Sequence, residues 1–257
     1  MTQIHPHGTR PDPKNKPVSL FVTCIVDMIY PNTGMATVEL LERLGVQVDF
    51  PMGQTCCGQM GFNAGYRDEA RNVAKQFLKA FKDSEVIVSP SGSCTSMVRH
   101  FYPQLFADDA ALKAEMERIV SITWELGEYL VDGLGVTDVG TTLKKPTKVS
   151  IHDACHGLRM SNLKDQPRLL LSNVKNLEVV ELSGADQCCG FGGLFAVKMP
   201  DVSGAMLKDK VQNIESVEAD LIVTGDASCL TQMNGGLSRS KSKKRVVHFA
   251  EVLAGKV

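Results

Sequence analysis

Cys24, Cys56, Cys57 and Cys94 are followed, in the same order of single, pair and single, by Cys155, Cys188, Cys189 and Cys229. The two sets are offset by 131, 132, 132 and 135 residues, in the patterns C-x31-CC-x36-C and C-x32-CC-x39-C. Four thiolates converging on one place hold soft metals, either iron in an iron-sulfur cluster or zinc. Structural zinc uses cysteine pairs two to four residues apart, a spacing this chain lacks. Adjacent cysteines point different ways and poorly serve one tetrahedral ion, whereas a larger cluster offers them different iron atoms. Each pair is followed by glycines, in "CCGQMG" and "CCGFGG", which suit backbone passing close to an inorganic core and offering it N–H groups. Buried structural thiols, a zinc site, and a metal-free thiol/disulfide exchange site are the competing readings.

The flanking sequence repeats with the cysteines. "VSLFVTC" parallels "KVSIHDAC", "VQVDFPMGQTCCG" parallels "LEVVELSGADQCCG", and "SEVIVSPSGSC" parallels "ADLIVTGDASC". Short Val/Ile/Leu runs alternate with helical patterns in each copy, the signature of parallel strands joined by helical crossovers. The expected fold is therefore α/β, with two similar, pseudo-twofold-related domains, each a mostly parallel sheet flanked by helices. "MATVELLERLG" reads as a helix with a glycine stop, and "DEARNVAKQFLKAFKDS" as a helix buried along Val73, Phe77 and Phe81. "QPRLLLSNV" and "VSGAMLKDKVQNIESVEA" are their counterparts. "AALKAEMERIVSITWELGEYLVDGLG" reads as helical and "TTLKKPTK" as a linker, with Trp124 as a packing residue. The expected division is a disordered leader over 1–17, a first cysteine-rich domain over 18–142 and a second over 143–257. Each cysteine then falls near the C-terminal end of a strand, the edge where ligands collect in open parallel sheets.

With 257 residues, 43% of them hydrophobic, the chain can bury a large core. A formal net charge of -1 gives no general attraction to nucleic acid or anionic membrane, and no apolar run nears the roughly 20 residues of a membrane span. "MTQIHPHGTRPDPKNKP" has no signal-peptide core, so the cytoplasm is the expected location. Eight cysteines in a reducing compartment read as metal or redox thiolates before they read as disulfides.

The doubled motif, from about Val18 to the C-terminus, resembles the cysteine-rich CCG domain. That domain occurs in the B subunit of heterodisulfide reductases and in the iron-sulfur subunits of glycolate oxidase and anaerobic glycerol-3-phosphate dehydrogenase. With "PSGSCTSM", "HDACHGLR" and "CCGFGG" in a short two-copy chain without ferredoxin motifs, it looks most like the lactate utilisation protein A branch of the family. The resemblance implies one or two iron-sulfur clusters of the [4Fe-4S] kind, with Cys24, Cys56, Cys57 and Cys94 ligating one and Cys155, Cys188, Cys189 and Cys229 the other. It also implies a non-flavin, electron-transfer subunit of an L-lactate dehydrogenase complex that makes pyruvate, with a LutB-like iron-sulfur protein and a LutC-like protein as partners. Relatives of the reductase type end each motif in C-x-x-C; here Met97 follows Cys94, and Gln232 and Met233 follow Cys229. The alternative reading, a heterodisulfide-reductase-like thiol/disulfide oxidoreductase, is weakened by that missing fifth thiolate, and a zinc protein that scaffolds a complex is a third.

His152, His156 and Arg159 surround Cys155 and are the candidate catalytic residues: a ligand, a donor to cluster sulfur or a proton relay for the histidines, a carboxylate anchor for Arg159. Loop capping and core hydrogen bonding are the plain alternatives. The first copy has "CIVDMIYP" instead, which confines the histidines to one half. "SRSKSKKR" over 238–245 is a basic run that reads as a solvated loop or a docking patch for an acidic partner. No G-x-G-x-x-G fingerprint lies between a strand and a helix, so no flavin or nicotinamide site is expected.

Overall fold

The computed structural model describes residues 10–257. The first half has four parallel strands: β1 (Val18–Leu20), β2 (Val48–Asp49), β3 (Val86–Ser89) and β4 (Thr123–Glu125), in the order β2-β1-β3-β4. Helices α1 (Cys24–Ile29) and α2 (Pro31–Arg43) lead from β1 to β2, and α3 (Gln59–Asn63) and α4 (Arg67–Ala80) from β2 to β3. After β3 come α5 (Gly92–Ser96), a π-helical turn (Met97–Phe101), α6 (Tyr102–Leu105) and α7 (Lys113–Ile122). A short α8 (Leu126–Glu128) and a second π-helical turn (Tyr129–Gly133) close the half.

The second half repeats this plan with β5 (Thr142–His152), β6 (Lys175–Val179), β7 (Leu221–Thr224) and β8 (Val246–His248), in the order β6-β5-β7-β8 and again all parallel. Its helices are α9 (Cys155–Ser161), α10 (Asp165–Ser172), α11 (Phe195–Lys198), α12 (Pro200–Ser216), α13 (Ala227–Arg239) and α14 (Phe249–Leu253). Two sheets of identical strand order flanked by helices are the α/β duplication expected from the sequence.

Three local expectations change. Thr123–Glu125, read as helical, is a fully buried strand on the edge of the first sheet. Thr123 is already extended at the end of α7, and the open edge of β3 satisfies its backbone, so the tertiary hydrogen-bonding demand overrides local helical pattern. "TTLKKPTK", read as a linker, is the first part of β5, with a register shift between Thr142 and Thr147. The leader lies outside the described residues up to position 9; beyond it Arg10 and Pro13 are anchored while Pro11, Asp12, Lys14, Asn15 and Pro17 are exposed. Arg10 sits 3.3 Å above the Trp124 ring and pairs with Glu128 at 2.9 Å, so Trp124 is a packing residue with a cation on its face. The stripe on α4 runs through Ala70, Ala74, Phe77 and Leu78, with Phe81 at its end, and leaves Val73 half-buried.

The halves share a core. Val18, Leu40 and Trp124 from the first and Val149, Leu170 and Phe249 from the second belong to one buried apolar cluster. The final helix of each half crosses to the other: α14 packs on α2, and α8 packs on α10. Arg43 donates to the Leu253 carbonyl at 2.7 Å and to Thr141 Oγ1 at 3.0 Å, and Gln166 donates to Asp132 at 2.8 Å. Under the sheet edges, α5 and α9 meet at two glycines, where a Cβ on Gly92 would stand 3.0 Å from Gly157 Cα. Replacing Gly92 with valine forces these backbones apart and is expected to lower stability by about 1–3 kcal/mol in urea unfolding.

Glu128 accepts from Arg10 and from Arg99, both at 2.9 Å in a buried network. Glu125, one turn away, accepts from Gly127 N–H at 2.6 Å and Glu128 N–H at 3.2 Å, yet burial pushes its carboxyl up to about 8. An acid whose folded pKa lies above its unfolded value holds more protons when folded, so stability falls as pH rises through the window between the usual carboxylate value and 8. The isosteric Glu125→Gln variant has no such proton to lose. Between pH 5 and 8 it should gain on the parent by ~1 kcal/mol or more in urea melts, since each tenfold change in proton affinity corresponds to about 1.4 kcal/mol; parallel pH profiles would contradict this.

Candidate metal centre

Each single cysteine stands just past the C-terminal end of a strand and each pair in the loop that follows another, held by matched local structure in the two halves. Cys24 and Cys155 open α1 and α9. Cys94 and Cys229 are each the third residue of a helix, α5 and α13. The N-caps of those helices also correspond: Ser91 accepts from Cys94 N–H at 3.3 Å, and Asp226 accepts from Ser228 N–H at 3.0 Å. Four of the eight sulfurs thus sit in the first turns of helices, where the backbone dipole favours negative charge.

All eight cysteines are free thiols, and all eight line a single cavity of about 140 Å³. The sequence led to two cradles; the fold makes them face each other across one shared chamber. Within the first half, Cys57 Sγ and Cys94 Sγ lie 3.5 Å apart, and within the second, Cys155 Sγ and Cys188 Sγ lie 3.8 Å apart. Gly58 N–H donates to Cys56 Sγ and Gly190 N–H to Cys188 Sγ, both at 3.4 Å. The two glycines occupy equivalent places and have φ of +84° and +87°, a conformation that side chains resist.

The thiols polarise one another in the same way in both halves. Hydrogen bonds from Cys24 and then Cys57, with that from Gly58, hold Cys56 down to about 3. Those from Cys155 and then Cys189, with Gly190, hold Cys188 down to about 2. Donation to these thiolates, added to by burial, pushes Cys24 and Cys155 up. One thiolate per half, ringed by thiols that must shed protons to coordinate, is a donor set suited to a soft metal centre. Eight cysteines around one cavity, with the two glycine cradles, fit a bulky inorganic group better than a single ion.

Asp226, to which the sequence drew no attention, ties the site together. Its carboxylate accepts from Ser93 N–H at 2.8 Å and Ser91 O–H at 3.2 Å in the other half. The correspondence of "PSGSC" with "TGDASC" was the available signal, since it puts Ser91 and Asp226 at matching N-caps. His248 adds a second link, with Nε2 donating to the Pro90 carbonyl at 3.0 Å while Nδ1 accepts from Ala250 N–H at 3.1 Å. Of the three candidate catalytic residues, His156 lines the cavity, His152 is buried behind it, and Arg159 is exposed on α9 away from its walls. Met97 and Met233 are fully buried in apolar clusters and are packing residues, outside the cavity lining. In the basic run, Lys244 donates to the Ile214 carbonyl at 2.7 Å and to that of Val217, capping the end of α12.

Gly190→Ala is expected to destabilise more than Gly58→Ala. Both substitutions carry the strain of positive φ, of order 1 kcal/mol or more. A Cβ at 190 also stands 2.6 Å from the Ser203 carbonyl oxygen, against a nearest contact of 3.2 Å at 58. Thermal melts of the two variants would check the order.

Comparison with known proteins agrees with this geometry. The cysteine-rich CCG domain model matches twice, over residues 18–99 and 149–234. The chain is 48% identical to lactate utilization protein A of Bacillus velezensis and to that of Geobacillus kaustophilus, in each case over 92% of this chain and 98% of the relative. Among solved structures, a hypothetical protein from Helicobacter pylori superposes with a TM-score of 0.63 at 12% identity, covering 95% of this chain and 50% of that one, a likeness of fold alone. This chain belongs to the lactate utilization protein A family, built from two cysteine-rich CCG domains.

Proposed function

We propose that the protein is an iron-sulfur electron-transfer subunit of an L-lactate oxidation system, in which L-lactate becomes pyruvate with release of two electrons and two protons. The observation that carries this reading is the gathering of eight free cysteines, and no disulfide, around one chamber at the sheet edges. The name shared by the relatives supplies the link to lactate. Cys24, Cys56, Cys57 and Cys94 would hold one cluster, and Cys155, Cys188, Cys189 and Cys229 a second. Such clusters supply one-electron redox capacity when bound.

The chain's own part is to fix the potential and the access route. Gly58 and Gly190 N–H groups drain charge from cysteine sulfur, burial of Cys57 and Cys189 keeps water from part of each centre, and Asp226 holds the two halves in register. Oxidation of lactate itself is assigned to a partner of the LutB-like or LutC-like kind, with this subunit relaying electrons in the cytoplasm. Large apolar side chains are exposed on the segments that carry the first-half cysteines, Met28 and Ile29 on α1 and Met52 ahead of Cys56, and they support a partner seat beside the chamber. Among the described residues no helix is long and apolar enough to cross a membrane.

Anaerobically purified protein should carry iron and acid-labile sulfide in similar amounts. Cys57→Ser and Cys189→Ser, made singly, should each remove the iron of one half. Zinc without sulfide would favour a scaffolding role instead, and turnover of a disulfide by the isolated reduced protein would favour a reductase.

A further inference from the structure

His152 ends β5 three residues ahead of Cys155 and is 1% exposed. Neither of its ring nitrogens makes a hydrogen bond. A ring nitrogen and the sulfurs of Cys189 and Cys229 all lie within 4.8 Å of one another. On its other side the ring borders a smaller inner cavity together with Glu125 and Thr224. The matching position in the first half is Phe21, whose ring packs edge-on against Phe77 at 4.8 Å and Phe81 at 5.8 Å. An apolar ring therefore serves this place in the fold. A histidine there, stripped of water and given no hydrogen bond, is a polar group whose use is not structural.

We propose that His152 is a nitrogen ligand of the second-half centre, coordinating beside Cys189 and Cys229. This rests on the iron-sulfur reading given above. Buried and without a hydrogen-bond partner, the ring has a lone pair available for a metal. The Ala185 carbonyl, which accepts from Asp153 N–H at 3.0 Å, lies near the ring without meeting hydrogen-bond geometry. Metal-bound histidines commonly direct their second nitrogen at such a carbonyl. Gln232, three residues after Cys229, turns instead to Ser203 Oγ at 3.2 Å, and Met233 is fully buried. The two centres are then unequal. A neutral imidazole leaves the charge of the second centre equal to that of the first but changes its donor set, and with it the potential.

The test uses the full chain, reconstituted anaerobically and reduced with dithionite, and reads nitrogen hyperfine coupling by pulsed electron paramagnetic resonance. Coupling from a coordinated nitrogen is expected in the parent and in a Cys56→Ser/Cys57→Ser variant whose first half is emptied. It should vanish in His152→Phe, which copies the first-half residue, and in His152→Gln, which guards against a packing fault in the first. Both substitutions should also shift the midpoint potential of the second centre and leave the first unchanged. Loaded clusters without coordinated-nitrogen coupling, or coupling that survives both substitutions, overturn the assignment. Protein with neither iron nor sulfide overturns the iron-sulfur reading and this assignment with it.

Discussion

The contact between Gly92 and Gly157 is the constraint on which the chamber depends. Gly92 opens α5 and Gly157 is the third residue of α9, two helices whose first turns carry Cys94 and Cys155, and neither glycine has a side chain to keep the two backbones apart. At that distance the C-terminal edges of two separate parallel sheets face each other. A ring of cross-half hydrogen bonds then holds them: Gly92 N–H to the Gly225 carbonyl at 3.4 Å, Ser96 O–H to the His156 carbonyl at 3.2 Å, and the bonds of Asp226 and His248. Most of these groups are buried, so each bond lost would leave an unsatisfied partner in low dielectric.

The exchange of terminal helices reinforces that arrangement. Because α14 covers α2 and α8 covers α10, neither half completes its own core. Movement of one sheet relative to the other would open apolar surface on both sides at once. Close packing resists such displacement, and two cysteine sets, each drawn from separate segments of one half, keep their places around the shared chamber. An electron relay needs little nuclear rearrangement, and a rigid cradle meets that need.

The chemistry of the cradle comes from pairing soft ligands with backbone donors. In each half the thiolate that accepts a glycine N–H is the first cysteine of the CCG pair, and the second cysteine is turned into the core. Adjacent cysteines thus both reach the chamber, the second of each pair from the more buried side. The duplication is not a perfect copy: Phe21 and His152 occupy the same place with opposite polarity, which gives the second half a character that the repeat alone does not.

The sequence by itself determined the duplication, the strand-helix alternation and the placement of every cysteine at a strand end, because hydrophobic periodicity and repeat spacing are local properties, present before any tertiary contact forms. It also marked the CCG glycines, which the structure sets at positive φ with N–H groups directed at cysteine sulfur. Only the tertiary structure decided that β4 interrupts a helical pattern, that the expected linker is a strand, and that both cysteine sets open into one chamber. Those outcomes depend on which backbone edges and apolar faces meet in space. Asp226 belongs to the same class, since its importance comes from what burial brings within hydrogen-bond distance of it; His152 stood out in sequence beside Cys155, but only the fold sets its ring beside Cys189 and Cys229.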